Sequence, residues 1–436
     1  MRLLPLILFL CCLATGSLFA ANVWDFHGGA GINAGRADNP GFYGVENPDY
    51  DPNDPRCDPN SASPNPNADV CRKEIAASRR RSATNGSLRV TGGVSANWAS
   101  TRFDLTYSPF ASYYYDQSEL SQVSHNLNSM WNHAYTARST LDMNALVNYT
   151  PEQDIDPNAQ TTNRVYVNQT NQLAGGFRAG YNFAASAKTT VSGSYRYAVR
   201  TYGADNFVDS TTHGAGLNWR RRVTARSFVQ TGCEYARFVY GDGPSVAKVA
   251  GTPRDPNAIR SRDFDASHEQ ASVGYGIDVG RSLRMTANAG YNFLQPADAR
   301  LERSSGLYLN AEADWNGTRL SGAAGYVHSL AGGSGVFTNS RADSMRANLR
   351  YAFTPTLSSE TSVARNVNER VASGSNQSNE SVRTIYARTA LNWVFAEGWS
   401  ANLSYSRFTQ DQNGQGTQAP DIRSNRWSTG VSWSLK

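Results

Sequence analysis

The sequence predicts an all-β protein, a transmembrane antiparallel up-and-down β-barrel of about 18 strands (16 to 18). Three observations predict it. Apolar and polar residues alternate with period two over roughly a dozen residues at a time, against the ~5–6 of ordinary globular strands. The apolar faces end in aromatics: Trp98, Tyr135, Phe183, Trp219, Trp315, Phe353, Phe395 and Trp433. Short, similar breaks then take turns along the chain with long, variable connections. A β-sandwich would also alternate, but its strands would be shorter and would carry no such aromatic ends.

Composition agrees with a wall facing lipid on one side and water on the other. Only 39% of residues are hydrophobic, yet 11% are aromatic and there are 37 glycines. The runs of Leu, Ile and Val that fill a soluble core of this size are missing. The formal charge of +5 comes almost wholly from arginine, since lysine occurs only at 73, 188, 248 and 436. No basic block interleaved with aromatics marks a nucleic-acid face.

Taken in order, residues 1–20, "MRLLPLILFLCCLATGSLFA", read as a cleaved secretory signal, with Arg2, an apolar run from Leu3 to Leu13, and a small-residue end at Ala20. Residues 21–436 then form a single barrel. "NVWDFHGGAGINAG", from Asn22 to Gly35, is the candidate first strand, although its glycines would also suit a plug inside the barrel. Residues 36–85 become a long first outer loop or partial plug. In an oxidising compartment Cys57 and Cys71 can staple it through "CDPNSASPNPNADVC". Cys233 is left as a free, apolar-facing thiol.

Eight tight turns follow, at "ASTR" 99, "TARS" 136, "ASAK" 185, "VTARS" 223, "VGRS" 279, "NGTR" 316, "TPT" 354 and "AEGW" 396. Long connections start at Pro151, Gly241, Leu330, Val371 and Asp411. Short turns at one end and long loops at the other are the pattern of outer-membrane barrels, whose turns face the periplasm. Two strands per turn, the C-terminal segment Arg426–Leu435 and the first segment together make eighteen. The Asp-Pro-Asn triplets at 51, 58, 156 and 255 fall in outer loops and suit Asx and Pro turns. "NPDYDPNDP" could hold calcium, but its spacing is not that of an EF-hand. "GYNF" occurs twice, at Gly180 and Gly290, and in each copy Tyr and Phe take the lipid face at a membrane edge.

Assigning the apolar side to lipid sends the other side inward. The lumen-lining candidates are Arg178, Arg196, Arg200, Arg346, Arg350, Arg388, Glu312 and Asp314. Asp104, Asp142, Glu234, Asp278 and Glu360 accompany them, with Tyr114 and Tyr386 as aromatic platforms on which sugars could stack. Two readings stand side by side. The arginines form an electropositive track for an anionic solute, or they pair with acids on neighbouring strands and hold the wall rigid. The six histidines show no His-Glu-x-x-His spacing, and there is no Gly-x-Ser-x-Gly elbow. His133 or His328 could face lipid in a membrane hydrolase, but rim histidines are ordinarily interfacial. The expectation is no catalytic residues, no cofactor and no metal.

The early "VWDFHGGAGINAGRADNPGFYG", the Thr/Ser/Asn-rich strands with "LNW" at Leu217 and Leu391, and turns such as "TPTLS" at Thr354 resemble bacterial outer-membrane β-barrel proteins associated with exopolysaccharide export systems. The resemblance implies an export channel for a secreted polysaccharide in the Gram-negative outer membrane, with a periplasmic polysaccharide export conduit as partner. Outer-membrane lipids and the barrel-assembly machinery are further partners. The C-terminus departs from the usual barrel ending, with Lys436 last and the aromatic at Trp433. The alternatives are a general or solute-selective diffusion porin and a non-conducting structural barrel.

Overall fold

The computed structural model describes residues 24–38, 82–116, 118–151, 171–202, 209–241, 265–298, 303–332, 339–370, 381–413 and 422–435. Eighteen strands form one closed antiparallel sheet in which each strand pairs with its sequence neighbours, and β1 closes the ring by pairing with both β2 and β18. The strands are β1 Trp24–Ala37, β2 Ala83–Asn97, β3 Thr101–Tyr114, β4 Gln122–Thr136, β5 Ser139–Pro151, β6 Asn171–Ser186, β7 Thr189–Tyr202, β8 Ser210–Arg222 and β9 Ser227–Tyr240. They continue as β10 Ala266–Val279, β11 Leu283–Pro296, β12 Ser304–Asn316, β13 Leu320–Gly332, β14 Asn339–Ala352, β15 Leu357–Arg370, β16 Ser381–Ala396, β17 Trp399–Asn413 and β18 Ile422–Leu435.

The first segment is therefore a wall strand and not a plug. Its glycines serve the closure: a Cβ on Gly29 would come within 2.6 Å of the Trp433 carbonyl oxygen of β18. All eight turns fall where the sequence places them, while several strands extend two to four residues farther at their loop ends. Asp411 to Asn413, read as loop, continue β17, and Ile422 to Asn425 already belong to β18. A short 3-10 turn, Ser118–Leu120, lies between β3 and β4, where alternation gives no sign of it. Cys57, Cys71 and the Asp-Pro-Asn triplets lie outside the described residues.

The repeated Thr-Ala-Arg-Ser turns show how one short motif does its work twice. Thr136 Oγ1 accepts the Arg138 N–H at 3.1 Å and contacts the Ser139 hydroxyl at 2.8 Å. Thr224, Arg226 and Ser227 repeat the same contacts at the same distances. A hydroxyl closing on a backbone N–H two residues on is an ST turn. Gly280 and Gly398 supply φ values of 67° and 73° at two other turns, where a side chain would be strained.

The outward face carries the exposed apolar side chains, among them Leu217, Val273, Met285 and Leu403. At the turn end Trp24 packs edge-on to Trp98 at 5.7 Å. At the loop end Tyr405 packs against Trp427 at 4.5 Å. Aromatics at both limits of an apolar band are the girdles of a membrane-spanning barrel. Phe183 lies in the turn-end girdle and Phe293 in the loop-end one, so the two "GYNF" copies mark opposite limits of that band.

Leu217, halfway along β8, is 60% exposed on the outer face, whereas its chain neighbour Asn218 points the other way, in register with the inward Ser192 and Gly232. Leu217→Arg is expected to cost about 2–4 kcal/mol in lipid, the price of a guanidinium at the midplane, and Asn218→Arg about 1 kcal/mol or less. Denaturant unfolding in lipid vesicles measures both. Equal costs would overturn the inward–outward assignment.

Candidate functional site

Register gives the ring one inward side: the odd-numbered residues of β1, β2 and, where it pairs with β12, β13, and the even-numbered residues of the other strands. The wall from β3 to β12 encloses a cavity of about 1020 Å³, lined by Arg102, Asp104, Asp142, Arg178, Asn218 and Glu234 among others. Its surface is a hydrogen-bonded lattice. Asp142 accepts from Asn132 Nδ2 and, at 2.8 Å, from Asn182 Nδ2. Asp104 accepts from Thr106 Oγ1 at 3.1 Å.

Several polar pairs reach across an intervening strand, and at each crossing that strand presents an inward glycine. Arg196 on β7 bonds Glu234 on β9 at 2.5 Å, with Gly214 of β8 opposite Arg196. A Cβ on Gly214 would lie 2.6 Å from Arg196 Nε. Arg346 on β14 bonds Glu312 on β12 at 3.0 Å over Gly325 of β13, which is the register partner of both. Gln230 on β9 donates to Asn288 on β11 at 2.5 Å over Gly274. Asn402 on β17 donates to Asn33 on β1 at 3.4 Å over Gly430. His27 on β1 reaches Thr106 on β3 at 3.4 Å over Gly93. Glycine serves here by space and not by backbone angle: a Cβ would meet the bridging side chain within 2.6 Å at Gly214 and closer at Gly93, Gly274 and Gly430, and at 3.2 Å at Gly325, so without one side chains two strands apart can meet.

These crossings divide the eight lumen candidates. Arg196, Arg346 and Glu312 are engaged in bridges. Asp314 stands opposite Arg284, which itself bonds Asp278 at 2.7 Å, and Arg350 stands opposite Glu360. Arg178, Arg200 and Arg388 have no acid beside them in register. Arg178 lies between Asn144 and Arg196, Arg200 between Ala174 and Ser210, and Arg388 between Ser362 and Ser406. None of the three makes an ion pair with a described residue. β6 and β16 lie on nearly opposite walls of the ring, so Arg178 and Arg388 face each other across the lumen.

At the loop end the inward face turns apolar. Phe408 packs with Ile422 and Tyr386, Leu294 with Ala266 and Leu330, and Tyr114 with Ala83 and Leu120. Tyr114, 1% exposed beneath this packing, cannot offer its ring to a sugar. Beyond His328 the described pairing of β13 with β12 stops, and Leu330 turns onto β11.

His133 contacts Thr101 Oγ1 at 2.7 Å and stacks on Trp131, while His328 contacts Asp343 at 2.8 Å. Neither meets a serine among the described residues. Cys233 is a free, exposed thiol between Leu217 and Ala271 on the outer face.

A closed 18-stranded antiparallel β-barrel with an apolar, aromatic-girdled outside and a polar lumen defines the class of this protein. No protein-family model matches the chain, and no curated protein matches it. Among solved structures it is similar to OccK2 (OpdF) of Pseudomonas aeruginosa in complex with glucuronate, at 10% identity over 95% of this chain and 98% of that one, with a TM-score of 0.45. It is also similar to OccAB4 of Acinetobacter baumannii, at 10% identity over 94% and 98% of the two chains, TM-score 0.44. The siderophore receptor PirA of Pseudomonas aeruginosa shares 8% identity over 94% and 80%, TM-score 0.45.

Proposed function

We propose that this barrel is a diffusion channel of the Gram-negative outer membrane for small hydrophilic solutes, with a preference for anions. The observation that carries the reading is the unequal commitment of lumen charges. Glu234, Glu312 and Asp278 are held by arginines, Asp142 by two asparagines and Asp104 by Thr106, and Asp314 and Glu360 each stand opposite an arginine, whereas Arg178, Arg200 and Arg388 have no acid opposite them. A polar passage with uncommitted guanidiniums favours anions through the field they set up in the lumen.

Export of a secreted polysaccharide, the first expectation from the sequence, draws less support from this lumen. Of its two proposed aromatic platforms, Tyr114 is buried and Tyr386 packs against Phe408 and Ile422.

Planar-bilayer recording of the purified protein across a KCl gradient tests the proposal. The expected result is steady conductance with a reversal potential on the chloride side. No conductance would sink the diffusion reading, and a potassium-selective pore would sink the anion preference. Loss of secreted polysaccharide on deleting the gene, together with a silent bilayer, would put the export reading in its place.

A further inference from the structure

The outward face just above the apolar band is strongly asymmetric around the ring. Each of the six consecutive strands β14, β15, β16, β17, β18 and β1 turns one arginine outward in its loop-side half: Arg341, Arg365, Arg383, Arg407, Arg423 and Arg36. On the other twelve strands, β2 to β13, the described outward positions of that half carry one, Arg237.

The arginines are also clustered. Arg365, Ile385, Thr409 and Arg423 form a single row across β15 to β18. Arg383 lies diagonal to Arg365, and Arg407 diagonal to Arg423, so one ligand can reach both members of either pair. Like charges at this spacing on a sheet repel unless an anion lies between them. The described outward strand positions of this half carry three acids against the six arginines. Glu369 is 4.0 Å from Arg341, Asp343 is shared by His328 and Tyr326 and also attracts Arg365, and Asp411 stands opposite Arg383.

Depth identifies the occupant. Arg407 follows Tyr405 by two residues, Tyr405 packs on Trp427, and Trp427 is the register partner of Arg36. Interfacial aromatics lie at the headgroup level, so guanidiniums at and just beyond them meet headgroups, not acyl chains. We propose that this face, from β14 through β18 to β1, binds the phosphorylated headgroup of an anionic glycolipid in the leaflet on the loop side. The guanidiniums would hold its phosphates through charge-assisted, fork-shaped hydrogen bonds. Its acyl chains would lie along the apolar strip of Leu403, Val431 and Leu391 below. The inference goes beyond channel function and stands whether or not the lumen conducts.

The test uses the folded full-length barrel in a non-ionic detergent, with lipid binding followed by native mass spectrometry. The probes are a bis-phosphorylated lipid A, the same lipid enzymatically dephosphorylated, and inorganic phosphate. The wild type should retain the phosphorylated lipid and not its dephosphorylated form. The combined Arg365→Ser, Arg383→Ser, Arg407→Ser and Arg423→Ser variant should bind about a hundredfold or more weakly. Arg237→Ser, on the far wall, should bind as the wild type does. Should the fourfold variant fail to fold, Arg383→Ser with Arg407→Ser alone should still lose about tenfold. Equal retention of the dephosphorylated lipid, or unchanged binding by the arginine variants, would overturn the proposal. Full competition by inorganic phosphate would reassign the site to a free anion. No lipid binding, with pairing of two barrels through this face, would reassign it to a protein contact.

Discussion

Replacing Arg178, Arg200 and Arg388 together with serine is expected to lower the chloride-over-potassium preference of the pore by about tenfold. The estimate follows from Coulomb's law. A guanidinium about 8 Å from a permeating ion contributes ~0.5 kcal/mol in a water-like dielectric, and screening at 0.1 M salt about halves that. The sign is opposite for the two ions, so three such groups set a difference of about 1.4 kcal/mol, a factor of ten. Reversal potentials measured across a KCl gradient check it. Arg→Lys at the same three positions should restore most of the preference, because the charge returns without the fork. Arg196→Ser should act differently: it leaves Glu234 in the cavity without its partner, adding an exposed negative charge as well as removing a positive one. A pore whose selectivity ignores all four substitutions would contradict the assignment of these side chains to the conducting path.

The second large effect is expected from a residue that carries no charge. Gly214→Val should break the Arg196–Glu234 bridge, because a Cβ at that position already lies 2.6 Å from Arg196 Nε, and the valine methyls would fill the rest of the passage over β8. The released Glu234 then faces the lumen, and the anion preference should fall about as far as in Arg196→Ser. Stability should move little or upward. The bridge is half exposed and contributes about 1 kcal/mol or less. Replacing a strand glycine by a β-branched residue returns roughly as much. Gly193→Val offers the comparison, since Gly193 points outward and its nearest neighbour in that direction is Leu217 at 3.8 Å. Thermal unfolding and reversal potential, measured on both variants, separate the two effects. Loss of stability without change in selectivity in Gly214→Val would show that the crossing is only a packing contact.

Alternation along single segments was enough to read the barrel and its strand number. Leu283, Met285, Ala287, Ala289, Tyr291 and Phe293 declare an apolar side without any knowledge of what lies beside them. The turns were equally plain, because Thr-Ala-Arg-Ser carries its own hydrogen-bonding chemistry within four residues. What could not be read was anything that depends on which residue stands opposite which. Gly214 and Gly325 look in sequence like the many small inward residues around them. Their role comes from Arg196 and Glu234, or Arg346 and Glu312, being brought within two strands of each other by register. A sequence signal existed only in combination, as an inward glycine whose flanking strands carry an arginine and an acid at facing positions. The arginine row outside was hidden for the same reason, its members being 16 to 24 residues apart along the chain and adjacent only once β15 to β18 are aligned.

The closure of the ring by β1 has a consequence for the order of assembly. β1 is the first of the eighteen described strands to be made, yet one of its two partners, β18, is the last of them. Every other strand pair joins neighbours in the chain and can form as a hairpin or a meander while the sheet grows. The β1–β18 seam instead joins Ala30 to Trp433, a loop of about four hundred residues whose closing entropy is the largest in the molecule. Until it forms, the sheet has two bare edges, each able to pair with another chain. The crossing of Asn402 over Gly430 to Asn33 ties that seam from the inside, reaching past β18 to hold β1 to β17. A chain that stalls before residue 422 is thus left with β1 and β17 as unpaired edges, a natural substrate for whatever guards nascent strands from aggregation.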